Sequence, residues 1–224
     1  MSFNPGVTIF IPLYNGVEFL ETSLLSVISQ TYDNWEVIIG VNGHGIGSET
    51  EKKVMEIVNT KNRFIHKIRV VVYNTKGRSE TLNSMVLDAT YDYIAILNVF
   101  DIWLPEKLEQ QVQYLKNYDV VGTQCEYFGK IEGYPNVPSG DLSHINFLIS
   151  NPIINSSVVL KKKDAYWTQD VLDDYDIWLR LNHENKKIYN INKILYRHYI
   201  HEENEINPEY INELKTKWKD IYSK

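Results

Sequence analysis

Cysteine is nearly absent from this chain of 224 residues; Cys125 stands alone. A single thiol excludes an intrachain disulfide and fits a reducing compartment. Cys125 follows the apolar pair Val120-Val121 and reads as a small core residue rather than a nucleophile. No apolar run approaches the ~18 residues needed to span a bilayer. The opening MSFNPGVTIF lacks the basic and long apolar regions of a signal peptide. These absences set the expectation of a cytoplasmic protein with no transmembrane segment. There is no block of Lys and Arg, and the net charge is -6, which argues against a nucleic-acid partner. The short run Lys161–Lys163 reads as a solvated strand end or turn. Internal repeats and low-complexity tracts are missing too. Ring surface is plentiful: 16 Tyr, 7 Phe and 5 Trp supply enough buriable area to exclude a disordered chain.

The first half alternates strand and helix patterns. Val7–Leu13 is a short apolar run ended by the turn-like Asn15-Gly16, as in a buried strand. Phe19, Leu20, Leu24, Val27 and Ile28 recur at helical spacing, which predicts a helix over Glu18–Ser29. Strands over Trp35–Val41, Ile68–Tyr73 and Tyr93–Leu97 are each followed by a helical pattern, over Thr50–Val58, Glu80–Ala89 and Pro105–Tyr118. Pro105 falls in a first turn, where proline is tolerated. Four such alternations predict an α/β fold with a mainly parallel sheet and helices on both faces. Loops that follow the strands then share one edge, the edge at which ligands bind. The second half is less regular. It predicts a strand over Val120–Phe128, a loop over Gly129–Ser143 and a short helix over Asn146–Ser150. A strand over Ser156–Leu160 and a helix over Tyr175–Asn182 follow. Two short strands, Ile188–Ile191 and Ile194–Tyr199, precede a polar helix over Asn207–Ser223.

Five segments occur in a telling order: TIFIPLYNG (Thr8–Gly16), EVIIGVNG (Glu36–Gly43), YIAILNVFDIWLPEKLEQQV (Tyr93–Val112), LDDYDIWLRL (Leu172–Leu181) and YIHEEN (Tyr199–Asn204). Together they resemble the inverting family-2 glycosyltransferases, and they span nearly the whole chain. The resemblance implies a Rossmann-like GT-A fold. It implies transfer of a sugar from a UDP- or GDP-sugar donor to a hydroxyl of a glycan or glycoconjugate, with Mn²⁺ or Mg²⁺ as cofactor. With no linker in view, the chain reads as one domain: a nucleotide-sugar half (1–118), an acceptor half (119–206) and a C-terminal helix (207–224).

The resemblance places the nucleotide base against Pro12, Leu13 and Tyr14, with Asn15 in the same nucleotide-sugar site, although Pro12 and Tyr14 by themselves could merely end a strand. Where the family has an Asp pair after the second strand, this chain has Val41 and Asn42. Asn42 can donate and accept a hydrogen bond and Val41 can do neither, so the base is left open. In KGRSETLN (Lys76–Asn83), Gly77 and Asn83 match family positions, and Arg78 with the helix N–H groups could face a pyrophosphate. Solvated loop charges would explain Lys76 and Arg78 equally.

The fourth strand should lead into an acidic Asp-x-Asp-Asp cluster, whose hard oxygen ligands hold the cation. Here Asn98 and Phe100 replace two of the acids, and only Asp101 remains. Three readings stay open: Asp101 and His201 hold a metal, Arg78 or Lys76 does the cation's work, or the domain only binds and does not turn over. Asp173 and Asp174 align with a Glu-Asp pair. The resemblance makes Asp174 the general base for the acceptor hydroxyl, with Asp173 orienting it or binding acceptor hydroxyls. An acidic helix N-terminus accounts for at least one of Asp173, Asp174 and Asp176. His201 is the preferred register for the family's metal-side histidine, with His198 as the fallback. Asn151, Asn155 and Ser156 precede a strand and are candidate acceptor or donor-sugar contacts, or simply turn and strand-start residues.

Overall fold

The computed structural model describes residues 3–168, 171–201 and 208–223. Its strands and helices, in chain order, are β1 (Val7–Leu13), α1 (Leu20–Ile28), β2 (Trp35–Asn42), α2 (Glu49–Asn59), β3 (Ile68–Tyr73), α3 (Arg78–Asp88), β4 (Tyr93–Ile96), β5 (Ile102–Trp103), α4 (Lys107–Val112), β6 (Val120–Gly129), β7 (Gly140–Asp141), β8 (Val159–Lys161), α5 (Asp173–His183), β9 (Ile188–Ile200) and α6 (Pro208–Tyr222). One sheet runs in the order β3-β2-β1-β4-β8-β6-β9-β5, with β7 on β9.

The four alternations of the first half fold as expected. β1, β2, β3 and β4 are parallel throughout, with Ile9 opposite Val37 and Ala95. Beyond β4 the sheet is mixed. β8 is antiparallel to both β4 and β6, β6 is parallel to β9, and β5 is antiparallel to β9. The core divides along the pleat, because successive strand residues face opposite sides. Ile9, Ile11 and Leu13 of β1 pack with Leu24 of α1, Val54 of α2 and Leu108 of α4. Phe10, between them, packs on the other face with Met85 of α3, Trp178 of α5 and Trp218 of α6.

Several local readings need correction. The helix expected over Pro105–Tyr118 is regular only over Lys107–Val112. Beyond it the N–H groups of Tyr114 and Asn117 turn to carbonyls three residues back, and the Tyr114 ring stacks on Tyr189 while the Tyr118 ring meets it tilted. Asn146–Ser150 forms turns rather than a helix. The strand expected from Ser156 begins at Val159, because Asn155–Ser157 is a 3₁₀ turn. The two short strands after residue 187 are one strand, β9, whose pairing with β6 slips on either side of Gln124. The predicted start of the last helix, Asn207, lies outside the described residues.

Gly122 on β6 marks a close approach that holds two loops. A methyl group there would collide with the Asn190 side-chain oxygen. Asn190 cannot swing aside, since its amide nitrogen donates to the carbonyls of Pro138 and Pro152, both at 2.9 Å. Gly122→Ala is therefore expected to cost about 1–3 kcal/mol of stability, measurable by chemical denaturation.

Candidate active site

The parallel strands β1, β2 and β4 end at the same edge of the sheet, and their following loops meet α3, α5 and the end of β9 around one cavity of about 650 Å³. Pro12, Leu13, Tyr14 and Asn15 line it from β1, and Asn42 from β2. Gly77 and Arg78 enter from the start of α3, and Asn98 and Asp101 from the loop after β4. Asp173 and Asp174 enter from the first turn of α5, and Asn155, His198 and His201 complete the wall. Segments far apart in the chain are thus drawn together by the strand–loop topology alone.

Three expected site residues do not line this cavity. Asn83 uses its side-chain amide on the backbone of Trp167, donating at 2.7 Å and accepting at 2.9 Å, so it ties α3 to the segment before α5. Asn151 caps a local turn by accepting the Ile153 N–H. Ser156 is fully buried, and its hydroxyl accepts the Asn98 N–H at 3.0 Å. It positions the loop after β4 and does not meet an acceptor. Asn42 lines the cavity, yet its amide is occupied: it donates to the Gly77 carbonyl and accepts from the Thr75 hydroxyl. Its observed task is to hold the loop before α3.

The mouth carries a flat ring. Tyr14 is 60% exposed. Its ring lies over Gly43, where any side chain would strike it, and the His44 ring bonds the Tyr14 carbonyl. Gly43 has φ near +79°, a conformation that also favours glycine. His44 was not anticipated, and nothing in its sequence context distinguishes it from a solvated loop histidine.

The loop after β4 differs most from expectation. Asp101 is 1% exposed. It accepts from the His198 ring at 3.0 Å and from the Tyr199 N–H at 2.9 Å. His201 instead packs its ring on Phe100 and Tyr199. The proposed Asp101–His201 pair is therefore replaced by Asp101–His198, and the reason is register. β5 pairs with β9 with Ile102 opposite Arg197 and Trp103 opposite Tyr196; extending that ladder puts Asp101 opposite His198 and Phe100 opposite Tyr199. Burial disfavours the His198 imidazolium, but the hydrogen bond and charge of Asp101, with Asp174 adding less, hold its pKa above the ordinary value. Phe100 fills the space over Gly16 and meets Phe19 and Tyr199.

These residues do not fit the cation site that the family pattern implies. The one remaining carboxylate of the motif is committed to His198 and Tyr199, Phe100 offers no ligand, and Asn98 offers one neutral oxygen. Among the described residues, no cluster of three or more His, Cys, Asp or Glu could hold a metal. Glu202, Glu203 and Asn204 of the last motif lie outside the described residues.

The three acids of α5 have separate fates. Asp176 is 1% exposed and accepts from the Trp218 indole at 2.7 Å and the Thr168 hydroxyl at 2.8 Å, which locks α5 to α6. Asp173 receives one Arg78 nitrogen on both oxygens at 2.7 Å and the Ser79 hydroxyl at 3.2 Å. Asp174 accepts the Tyr175 N–H at 2.8 Å. Burial, then the charge of Asp173, raises its pKa above the ordinary 3.8, against the opposing pull of Arg78 and the Tyr175 N–H.

Comparison with known proteins places this geometry. The model of Glycosyl transferase family 2 matches residues 8–174. The chain belongs to that family. It is 28% identical over 215 residues to EpsE of Bacillus subtilis, covering 88% of this chain and 74% of that one. It is 27% identical over 207 residues to the O-antigen biosynthesis glycosyltransferase WbnJ of Escherichia coli, covering 87% and 80%. Some relatives are much longer: an uncharacterized glycosyltransferase of Rickettsia felis is 31% identical over 115 residues, only 18% of its length. Among solved structures, S. aureus TarS 1-349 in complex with UDP superposes with a TM-score of 0.73 at 15% identity, over 97% of this chain and 65% of that one. Mannosyltransferase PcManGT from Pyrobaculum calidifontis, in complex with GDP-Man and Mn²⁺, gives 0.70 at 14% identity, over 91% and 59%. The architecture of this family-2 chain is thus the GT-A fold, and the chain spans under two thirds of those two solved structures. No helix among the described residues is long and apolar enough to cross a membrane.

Proposed function

We propose that this glycosyltransferase moves a sugar from a nucleoside diphosphate donor to an acceptor hydroxyl with inversion, and that Asp174 is the general base. The carrying observation is that Asp174 lines the same cavity as the β1 and β2 strand ends that form a surface for a base. The donor's base lies on Tyr14 and Pro12, its diphosphate toward Gly77 and Arg78, and its sugar toward Asn98 and Asn155. The acceptor oxygen bonds to the anomeric carbon as its proton passes to Asp174. The bond from that carbon to the diphosphate oxygen breaks, and the electron pair leaves with the diphosphate. Asp173 serves as the positioning residue that fixes Arg78 and raises the basicity of Asp174. The acceptor is a glycan or glycoconjugate, in keeping with the O-antigen role in the name of WbnJ.

A panel of UDP- and GDP-sugars, assayed for donor turnover with simple glycoside acceptors and for the anomeric configuration of the product by NMR, tests this reading. A retained configuration defeats the inverting mechanism. Donor binding without any turnover marks a domain that only binds.

The pH profile carries a sign. The base works as carboxylate, which exists above its pKa, and that pKa is raised. Activity should therefore fall as pH drops, with a midpoint above the ordinary 3.8. The Asp173→Asn variant removes the neighbouring charge that raises this pKa, but it also releases Arg78. A midpoint for kcat that moves downward in Asp173→Asn supports the coupling, and an unmoved midpoint opposes it.

A further inference from the structure

The misfit at the cation site has a counterpart in the same cavity. Arg78 enters from the first residue of α3 and reaches across to Asp173 of α5 and toward Asn98 of the β4 loop. One terminal nitrogen contacts both Asp173 oxygens at 2.7 Å, and the other lies 3.4 Å from the Asn98 side-chain oxygen. Asn98 stands where the family pattern has the first acid of its cluster. Its neutral oxygen thus faces a guanidinium, an arrangement that repels a divalent ion and would suit a carboxylate poorly as a metal ligand. The other acid position holds Phe100, packed into a cluster with Phe19, Tyr199 and His201. Two losses of ligand and one fixed cation therefore meet at one place.

We propose that the Arg78 guanidinium takes the place of the divalent cation, so that this chain binds the diphosphate of its donor without metal. The proposal rests on the nucleotide-donor reading above. A guanidinium carries five N–H donors in a planar fork. Asp173 takes one terminal nitrogen and the Asn98 oxygen lies within reach of the other, which leaves Nε and the second proton of that nitrogen for phosphate oxygens. The loop before α3 is built for close approach. Gly77 has φ near +92° with open space where a side chain would be, and Asn42 and Thr75 hold the loop in place. α3, an 11-residue helix, adds the positive end of its dipole on the same side. An independent sign of a polar ligand comes from another residue of the same cavity. Asn155 lines the cavity, is 4% exposed, and has neither its amide oxygen nor its nitrogen bonded by the protein. Buried amides of that kind are costly unless a ligand meets them.

The test is binding, with UDP and GDP as probes. Each nucleotide is titrated by calorimetry and thermal shift in EDTA and again with MnCl₂; MnCl₂ alone is run beside them. One nucleotide should bind with affinities within about twofold in EDTA and in Mn²⁺, and Mn²⁺ alone should leave the melting temperature unchanged. Arg78→Gln should weaken that binding about tenfold or more in both buffers, since a charged hydrogen bond to phosphate is lost, and Arg78→Lys should retain part of it. Circular dichroism of the free variants separates lost binding from lost fold. If Arg78→Gln does not fold, Arg78→Lys decides: a weakening in EDTA supports the proposal and none overturns it. Binding seen only with Mn²⁺ or stabilisation by Mn²⁺ alone overturns metal-free binding, and a folded Arg78→Gln protein that binds like the original overturns the role of Arg78; each leaves the donor reading standing. No binding of either nucleotide in either buffer brings down the donor reading and this proposal with it.

Discussion

Asp174→Asn is expected to lower kcat about 10²–10⁴-fold, the usual contribution of a positioned general base, while donor affinity stays near that of the original chain. The amide is isosteric and can keep the contact with the Tyr175 N–H by its oxygen, so the loss is chemical and not architectural. Stability should move the other way. A carboxyl whose folded pKa exceeds its unfolded one adds stability below the unfolded pKa and loses that stability as pH rises through the folded value. Ionising Asp174 in the folded chain therefore carries a cost, from burial and from the charge of Asp173. Its neutral replacement should melt at the same temperature or higher, a common pattern where a site is strained for function. Initial rates, calorimetry of donor binding and a thermal melt on the same two proteins check all three parts. A variant with full activity removes Asp174 from the mechanism. A variant that melts much lower makes it a structural residue.

The contrast among the three acids of α5 shows what could be read in advance. Sequence alone showed an acidic first turn before a helix, and the family resemblance singled out Asp174. It could not show that Asp176 would be closed off by Trp218 and Thr168, because α6 is more than 30 residues further on. Nor could it show that Arg78 would reach Asp173. The first four strands were legible because β1, β2 and β4 are almost wholly buried apolar runs and β3 is broken only by exposed Arg69, with a helical pattern following each. The second half was less so because its order comes from pairing. β9 carries exposed Asn192 and Lys193 at its bulge, and those polar residues break the pattern into two apparent strands. The pairing of His198 with Asp101 comes from the β5–β9 register, a tertiary fact with no local trace. Asn83, Asn151 and Ser156 were misplaced for a shared reason: a polar residue near a cleft can serve backbone as readily as ligand, and here each serves backbone.

The largest expected change in stability lies under the site rather than in it. Lys107 is fully buried, its amine donating to the Gln111 side-chain oxygen at 2.7 Å and lying 4.0 Å from the Trp103 ring centre. Burial pushes its pKa well below the ordinary lysine range. Between its folded pKa and the ordinary 10.5 the unfolded chain therefore binds more protons than the folded one, and Lys107 costs stability as pH falls through that window. Gln111 makes the arrangement tolerable. Its nitrogen donates to the carbonyls of Val121 and Ser157, at 2.6 and 2.8 Å, while its oxygen takes the lysine. Gln111→Leu would strand two carbonyls and an amine in a dry core, an expected loss of about 3–5 kcal/mol, the lower part of what about 1–3 kcal/mol for each of three unmet groups allows. For a domain of this size that is roughly 10 °C in melting temperature. Lys107→Met strands only the Gln111 oxygen and removes a poorly solvated amine, so the two effects nearly cancel and the change should stay within about 1 kcal/mol. Denaturant melts of both variants test the ordering. If Lys107→Met is as damaging as Gln111→Leu, the lysine itself is the anchor and the account fails. The consequence reaches the cavity, because Ser157 follows Ser156, whose hydroxyl holds the Asn98 N–H and whose carbonyl takes the Trp103 indole. Losing Gln111 should therefore also weaken donor binding, by loosening the loop that presents Asn98 to Arg78.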